Sequence, residues 1–409
     1  MLELSVSPEH SIGTRCWSLI LGMPLPQVIH IIRQQVEEIK NVTLVYSDQN
    51  PLDKDICLYL SQDGIALVFD CSTQRLRTIE IYDVSKVMLI YSNRTFCSPQ
   101  IQPTLDLVYQ TFGATVPGVY NSDQNLLAIN YRGISFHFNL ASRLLHSQQF
   151  GLESIQVRQS SPSPVVSNIS IFSGDNLNTS PVPVIPTKFL SGAVHAARVE
   201  ALWTKERLQG LAFYLDREYT NITSSISETQ AQEVVLKKVL FNDKLQDVLS
   251  ALGSPSKIFY KDEDKMRIHS MKKTMHTRKQ SDFFCNYFSL GVDILCDAKT
   301  SRVKKFILHT NFPGHYNFDI YARCPFSIRM TRGGVGQSEG STLQINPCTR
   351  WNEIEGFVGQ PREELAILNR GSTNTTNPFS PTFCCGFQDI IFEIMHNQHI
   401  GSITLYLSS

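Results

Sequence analysis

Short amphipathic segments that end at a glycine recur along the chain. In each, an aliphatic residue is followed by an apolar residue four positions later and by a glycine directly after that. Residues four apart lie on one face of a helix, and glycine readily adopts the left-handed conformation that ends one. A segment from Leu25 has the apolar face without the glycine, so its helix is predicted to continue toward Ile39. The three complete examples are Leu105–Gly113, Leu245–Gly253 and Trp351–Gly359.

Strand patterns follow the helices, and two of them match without a gap. Gly64–Asp70 and Gly291–Asp297 both run from glycine to aspartate in the same number of residues, and both continue into a basic and then apolar strand. Self-similarity of this kind indicates repeated structural units. We therefore predict an α+β fold of four repeated helix-plus-three-strand units, arranged in two pairs.

The residue composition and the hydrophobic pattern change between the two pairs of units. Residues 159–238 contain Pro/Ser-rich loops and strand patterns without the helix signal, which predicts a β-rich insert. The predicted domains are 1–158 for the first pair of α-β-β-β units, 159–238 for the insert and 239–409 for the second pair. The glycine-rich stretch 333–340 lacks the helix and the Lys-Ser or Lys-Thr of a phosphate-binding loop, so it is predicted to be a flexible connection.

Composition is that of an ordinary globular protein. The 409 residues are 42% hydrophobic and 18% charged, and Lys+Arg equal Asp+Glu at 37 each. Because the net charge is zero, the chain has no overall positive electrostatic field that would attract nucleic acid. The start of the chain lacks the features of a signal peptide, and the most apolar stretch, 17–32, is too short and broken to span a bilayer. The ten cysteines are scattered without a C-x-x-C pair, which favours a cytoplasmic protein without structural zinc or disulfides.

A basic insertion is the sharpest local departure from the repeat. The connection from Tyr260 to Gly291 is thirteen residues longer than the equivalent connection from Tyr46 to Gly64. Lys and Arg in such a loop can contact phosphoinositide headgroups or the acidic surface of a partner, and the alternative is a solvated loop without a ligand. The candidate contact residues are Lys261, Lys265, Arg267, Lys272, Lys273, Arg278 and Lys279.

Two further motifs carry weaker signals. Asn311–Phe318 has a Pro-Gly turn between aromatic residues, which favours a structural corner packed on a sheet. His315 within it is a candidate general base, although no nucleophile or carboxylate lies at a telling spacing. Asn377–Phe379 has the form of a short trafficking peptide, and such matches are frequent by chance. No hydrolase, metalloprotease, kinase or dinucleotide-binding motif is present, so no catalytic, metal or cofactor site is predicted and the chain is predicted not to be an enzyme.

Several strings together resemble the phagophore assembly factor family. The longest is His309–Phe318, and shorter ones include Leu21–Leu25, Leu252–Pro255 and Thr404–Tyr406. The resemblance covers nearly the whole chain and is loosest over residues 143–238.

The resemblance implies a non-catalytic regulator or scaffold of autophagy. Members of that family are expected to be cytoplasmic, to join a WD-repeat β-propeller protein of the breast-carcinoma-amplified-sequence type, and to gather at the phagophore assembly site (the preautophagosomal structure). Phosphoinositide recognition would then belong mainly to the propeller. Two alternatives stay open. One is a peripheral protein of vesicle-mediated transport that binds phosphoinositides directly through the basic insertion, and the other is a cytosolic hydrolase that uses His315.

Overall fold

The computed structural model describes residues 1–116, 118–121, 123, 125–140, 163–183, 194–204, 207–216, 234–261, 281–331, 342–359, 365–368 and 380–407. The chain divides into two compact units, residues 1–47 with 51–185 and residues 48–50 with 186–409. Strands make up 48% and helices 13% of the described residues. Within the same ranges, no helix combines the length and the apolar character needed to cross a bilayer.

The first unit holds two α-helices and thirteen strands among its described residues. In chain order its elements are β1 (Leu2–Ser7), β2 (Ser11–Gly13), β3 (Ser18–Ile20), α1 (Leu25–Gln34), β4 (Val42–Val45), β5 (Ile56–Leu60), β6 (Ile65–Phe69), β7 (Leu76–Ile81), β8 (Val87–Tyr91), β9 (Arg94–Cys97), α2 (Leu105–Phe112), β10 (Val119–Asn121), β11 (Leu126–Tyr131), β12 (Ile134–Asn139) and β13 (Val166–Ile171).

The second unit, where it is described, repeats that order of helices and strands. Its elements are β14 (Ala196–Thr204), β15 (Arg207–Asp216), β16 (Val234–Leu240), α3 (Leu245–Leu252), β17 (Lys257–Tyr260), β18 (Phe283–Tyr287), β19 (Val292–Cys296), β20 (Val303–His309), β21 (Phe326–Thr331), β22 (Thr342–Ile345), α4 (Trp351–Val358), β23 (Ala366–Leu368), β24 (Thr382–Phe387), β25 (Ile390–Ile394) and β26 (Ile400–Tyr406).

Within the described residues, each unit contains one five-stranded and one eight-stranded sheet, and the strand orders correspond. The five-stranded sheets have the orders β3-β2-β1-β8-β9 and β16-β15-β14-β21-β22. In each of them one parallel pair, β1 with β8 or β14 with β21, joins strands that are otherwise antiparallel. The eight-stranded sheets have the orders β10-β11-β12-β13-β7-β6-β5-β4 and β23-β24-β25-β26-β20-β19-β18-β17. The two units are therefore two versions of one β architecture.

Each helix precedes four antiparallel strands, which form half of an eight-stranded sheet. The two halves meet at the sheet centre, where β7 pairs with β13 and β20 pairs with β26. The residue before each helix forms a bridge with the residue just before the fourth strand, which ties the helix start to the sheet. These bridges are Pro24 with Arg75, Thr104 with Val165, Lys244 with Arg302, and Arg350 with His399.

Local sequence accounts for the helix ends. Helices α2, α3 and α4 stop at Gly113, Gly253 and Gly359, whose φ angles of 86°, 77° and 88° would strain other residues. Helix α1 lacks such a glycine but still ends at Gln34. The predicted continuation toward Ile39 is therefore wrong.

The predicted α+β fold of four helix-plus-three-strand units is also wrong. Among the described residues, strand exceeds helix by 48% to 13%, and four strands follow each helix. The match between Gly64–Asp70 and Gly291–Asp297 and the strand after each string covers β6 with β7 and β19 with β20. It does not fix how many strands lie between each helix and the match, and the structure has two there. The described strands within residues 159–238 do not form a separate insert, because β13 completes the first eight-stranded sheet and β14–β16 belong to a sheet of the second unit.

Both sheets and both helices of the second unit share one hydrophobic core. Phe213 of β15, Phe306 of β20 and Phe392 of β25 are completely buried there. Val248 of α3 and Ile354 of α4 contribute the apolar helix faces. Burial of such a side chain contributes about 1.5–3 kcal/mol, so the helices are held mainly by this packing.

Candidate functional site

A buried aspartate organises a polar network in the second unit. Asp293 on β19 is 6% exposed, and its carboxylate accepts hydrogen bonds from the Tyr321 hydroxyl at 2.9 Å and from Asn286 Nδ2 at 2.7 Å. The Tyr321 hydroxyl lies 2.9 Å from both carboxylate oxygens, whereas Asn286 contacts Oδ1. The Nε2 atom of His309 lies 2.9 Å from Oδ2. The His309 and Tyr321 rings stack with their centroids 3.8 Å apart. Burial, and after it the nearby carboxylate, raise the pKa of Tyr321, so its hydroxyl stays protonated and donates.

The connection between β20 and β21, residues 310–325, brings Tyr321 to this network. The Ala322 amide donates to the Phe288 carbonyl at 2.8 Å, and the Cys324 amide donates to the His309 carbonyl at 2.9 Å. Gly291 has a φ of 68°, and a Cβ atom there would lie 2.3 Å from the Ala322 carbonyl oxygen. The glycine that marks the start of the repeated strand therefore also lets this connection approach the sheet.

His315 lies in the same connection and is only 2% exposed. Its Nε2 atom is 3.3 Å from Oε1 of Glu393, which is also buried. The hydroxyls of Ser402 and Thr382 donate to the Glu393 carboxylate at 2.6 and 2.8 Å. Gly401 leaves room for the imidazole, since a Cβ atom there would lie 2.8 Å from His315 Cδ2.

This arrangement is a structural corner of the kind predicted for Asn311–Phe318. The guanidinium of Arg323 lies 4.4 Å from the Phe312 ring centroid, and the Phe312 ring packs 4.6 Å from that of His399. The carboxylate that sequence spacing did not reveal is present in Glu393. A general base must reach a substrate, however, and His315 is closed off from solvent.

The basic insertion is described only at its first residue. Lys261 is exposed at the end of β17, with its Nζ atom 5.7 Å from the Phe284 ring centroid. The stretches 333–340 and 377–379 also lie outside the described residues. So do the other candidate contacts, Lys265, Arg267, Lys272, Lys273, Arg278 and Lys279.

Asp55, Asp70 and Cys71 bring three potential metal ligands together in the first unit. Asp55 forms an ion pair with Arg77, and the Asp70 carboxylate accepts hydrogen bonds from residues of its own turn. The same turn recurs at Asp297, whose carboxylate accepts from the amides of the next residues. A repeated hairpin turn therefore explains the acidic residues at this position.

Exposed apolar side chains occur on the outermost strands of the eight-stranded sheets. On β17, Ile258, Phe259 and Tyr260 are 45%, 51% and 61% exposed. On β4, Val42 and Val45 are 42% and 50% exposed. Edge strands with exposed apolar side chains can pair with other chains, so these edges are candidate interaction surfaces. In the sequence, each of these edge strands is visible as an apolar run that follows the end of a predicted helix. Only the sheet topology shows that these strands lie outermost.

Comparison with known proteins gives a consistent picture. The family model described as phagosome assembly factor 1 matches residues 15–406. The chain is 40% identical over 418 residues to the PHAF1 protein of Drosophila melanogaster, with 99% of this chain and 94% of that protein covered. It is 32% identical over 412 residues to the protein of that name in Caenorhabditis elegans, with coverage of 99% and 94%. The PHAF1 protein of Arabidopsis thaliana is 31% identical over 399 residues, covering 95% of this chain and 90% of that protein. No solved structure matches.

Proposed function

Because the chain belongs to the phagosome assembly factor 1 family, as its motifs predicted, we propose that it is a non-catalytic regulator or scaffold of autophagy. Family membership supports a role in phagosome assembly. The scaffold joins a WD-repeat β-propeller protein of the breast-carcinoma-amplified-sequence type and is recruited from the cytoplasm to the phagophore assembly site. Its contact with phosphoinositide membranes is indirect, through that partner.

The exposure of apolar side chains on outer sheet strands is the main support for this proposal. Such side chains are normally covered or replaced by charges in a protein that works alone. Tyr260, at 61% exposure, is the type of aromatic anchor that contributes strongly to protein interfaces.

The non-catalytic part of the proposal is supported by the two histidine–carboxylate pairs. His309 with Asp293 and His315 with Glu393 are each less than a tenth exposed, so a substrate has no access to the imidazoles. The Ser402 hydroxyl next to the second pair donates to the carboxylate, not to the imidazole as a nucleophile would. Both pairs have a structural use. The first joins β20 to β19 within one sheet, and the second connects His315 of the 310–325 connection to Glu393 on β25.

Co-expression with the β-propeller protein, followed by size-exclusion chromatography, tests the proposal. We expect the two chains to co-elute as one species whose mass equals their sum. The His315→Ala variant serves as the control, because the partner should still co-elute if the variant folds. Elution of two separate chains would reject the partner assignment.

Direct phosphoinositide binding is a second candidate, favoured by the exposed Lys261 at the head of a stretch rich in Lys and Arg. Its test is flotation with phosphatidylcholine vesicles that contain phosphatidylinositol 3-phosphate. Changing Lys272, Lys273 and Lys279 to Glu should abolish flotation of the chain alone only if this second candidate is right. The matched control changes three exposed lysines outside the basic insertion to Glu, namely Lys40, Lys238 and Lys299.

A further inference from the structure

The edge strand β17 is exposed on both of its faces. Ile258, Phe259 and Tyr260 form the only run of three adjacent large apolar residues that are each more than a third exposed within the described ranges. Among the described strands, β17 pairs only with β18. An outer strand with bulky apolar side chains on both faces has unused surface for another chain.

At the same edge, backbone groups of β17 have no hydrogen-bond partner among the described residues. The Lys261 amide donates to the Asp282 carbonyl at 2.8 Å. Alternate residues of an antiparallel strand bond to a given neighbour, so the amides and carbonyls of Ile258 and Tyr260 point away from β18. No described group bonds to them. These groups can accept one further strand.

The charges next to the apolar run of β17 indicate which charged side chains the added strand carries. Lys257 and Lys261 flank the apolar run and lie on the same face as Phe259, because side chains alternate along a strand. Both lysines are exposed. A second copy of β17 would place lysine opposite lysine, which is destabilising, whereas acidic side chains would be attracted.

The first unit provides an internal comparison. Val45 on β4 pairs with Cys57 as Phe259 on β17 pairs with Phe284, and both partners are the second residue of their strand. The apolar run is therefore shared, but the positions that match the two lysines are Thr43 and Ser47. The positive charge is specific to the second unit.

We propose that the open edge of β17 binds an extended segment of a protein partner by strand addition. The bound segment has an acidic residue two positions before and two positions after a central apolar residue, so that carboxylates face Lys257 and Lys261 and the apolar side chain faces Phe259. Main-chain hydrogen bonds to Ile258 and Tyr260 supply affinity, and the charges select the segment. This inference rests on the proposed scaffold function and identifies the surface that it uses.

Two fluorescent peptides test the proposal with the full-length protein. One is Thr-Glu-Val-Phe-Val-Glu-Thr, and the other replaces both glutamates by lysine. We expect the acidic peptide to bind and the basic one to bind at least about tenfold more weakly. Charge reversal at Lys257 and Lys261 to Glu should invert this preference without changing thermal stability, because both side chains are exposed. Reversal at Lys238 and Lys299 is the matched control and should leave the preference unchanged.

Amide hydrogen exchange locates the contact. The acidic peptide should slow exchange at Ile258 and Tyr260, whose amides are open, more than at Phe259, whose amide faces β18. Equal binding of both peptides, no binding of the acidic one, or protection elsewhere would overturn the proposal. So would phosphatidylserine vesicles that occupy the edge in place of the peptide.

The outcomes separate this inference from the scaffold proposal. If the β-propeller protein co-elutes with the chain but the acidic peptide does not bind, the β17 inference is wrong and the scaffold proposal stands. If the peptide binds at β17 but the β-propeller protein elutes separately, the edge is a binding site and the partner assignment is wrong.

Discussion

The two units place different chemistry on the same part of their eight-stranded sheets. In the first unit, Tyr59 and Tyr82 pack edge to face with ring centroids 6.2 Å apart, and Tyr82 is 39% exposed. The equivalent residues in the second unit are Asn286 and His309, which are 8% and 4% exposed. Asp293, at the centre of their network, takes the place of Ala66.

The length of one connection explains this difference. Residues 82–86 join β7 to β8 in the first unit, whereas residues 310–325 join β20 to β21 in the second. The longer connection covers the sheet face and brings Tyr321 onto it. A covered face must satisfy its polar groups internally, and the three side chains around Asp293, those of Asn286, His309 and Tyr321, do so for its carboxylate. The comparison teaches that one sheet scaffold tolerates either an open aromatic face or a closed polar one, according to the connection that follows.

Removing the buried carboxylate should break the closed face with the largest effect. Asp293→Ala places the residue of the first unit at this position. It leaves the Tyr321 hydroxyl without its acceptor and leaves Asn286 Nδ2 with only that hydroxyl, 3.2 Å away, to donate to. We expect the free energy of unfolding, measured in urea, to fall by about 3 kcal/mol. The exposed Asp53→Ala variant is the control and should change it by less than about 0.5 kcal/mol. Equal effects of the two changes would mean that the network does not support the fold.

Alanine at the two matched glycines tests whether the units share their strand geometry. Gly64 and Gly291 have φ angles of 65° and 68°, and each meets the following connection closely. Both Gly→Ala variants should lose about 2 kcal/mol in the same assay, because the conformation and the contact both disfavour a Cβ atom. If Gly64→Ala is stable and Gly291→Ala is not, the two strands match in sequence but not in the backbone geometry at the glycine.

A pair of tyrosine variants sharpens the contrast between open and closed faces. Tyr321→Phe removes the hydrogen bonds to Asp293 but keeps the ring stacked on His309, so a loss of about 1–2 kcal/mol is expected. Tyr82→Phe removes a hydroxyl from a partly exposed ring and should cost less than about 0.5 kcal/mol. Thermal unfolding of both variants measures the two losses of stability. Similar losses would contradict the interpretation that the sheet face at Tyr321 is covered and that at Tyr82 is open.

The smallest effect concerns Glu80, which matches Ile307 in the second unit. Burial raises the pKa of Glu80, with an opposing effect of Arg77. A raised carboxyl pKa means that the folded state binds protons more tightly, so the charged form destabilises the fold above that pKa. Glu80→Gln should therefore increase stability near neutral pH by less than about 1 kcal/mol, and the gain should disappear as the pH falls through the raised pKa. A gain that persists in acid would reject the burial explanation.

Local features of this fold were predictable from the sequence. Helices α2, α3 and α4 lie where the apolar spacing and the glycines place them. The glycine-to-aspartate strings form β6 and β19 with the same turn after each. Both features depend on neighbouring residues alone, as does the long string that indicated the family.

Pairing between distant strands was not predictable in this way. The join of β7 to β13, and the use of β14–β16 in a new sheet, depend on residues far apart in sequence. Asp293 was the one visible signal of the polar network, because a carboxylate inside the apolar run Val292–Cys296 must be satisfied there. Its partners Asn286 and Tyr321 come from β18 and the 310–325 connection, which only the fold brings together.

The central claim is that the second unit carries the surface by which this assembly factor holds a partner. Amide hydrogen exchange of the chain alone and after co-purification with the β-propeller protein that we propose as its partner tests it most directly. We predict slower exchange at Ile258 and Tyr260 in the complex and unchanged exchange at the matching Leu44 and Tyr46. Unchanged exchange along β17, with protection on β4 or elsewhere, would contradict the claim.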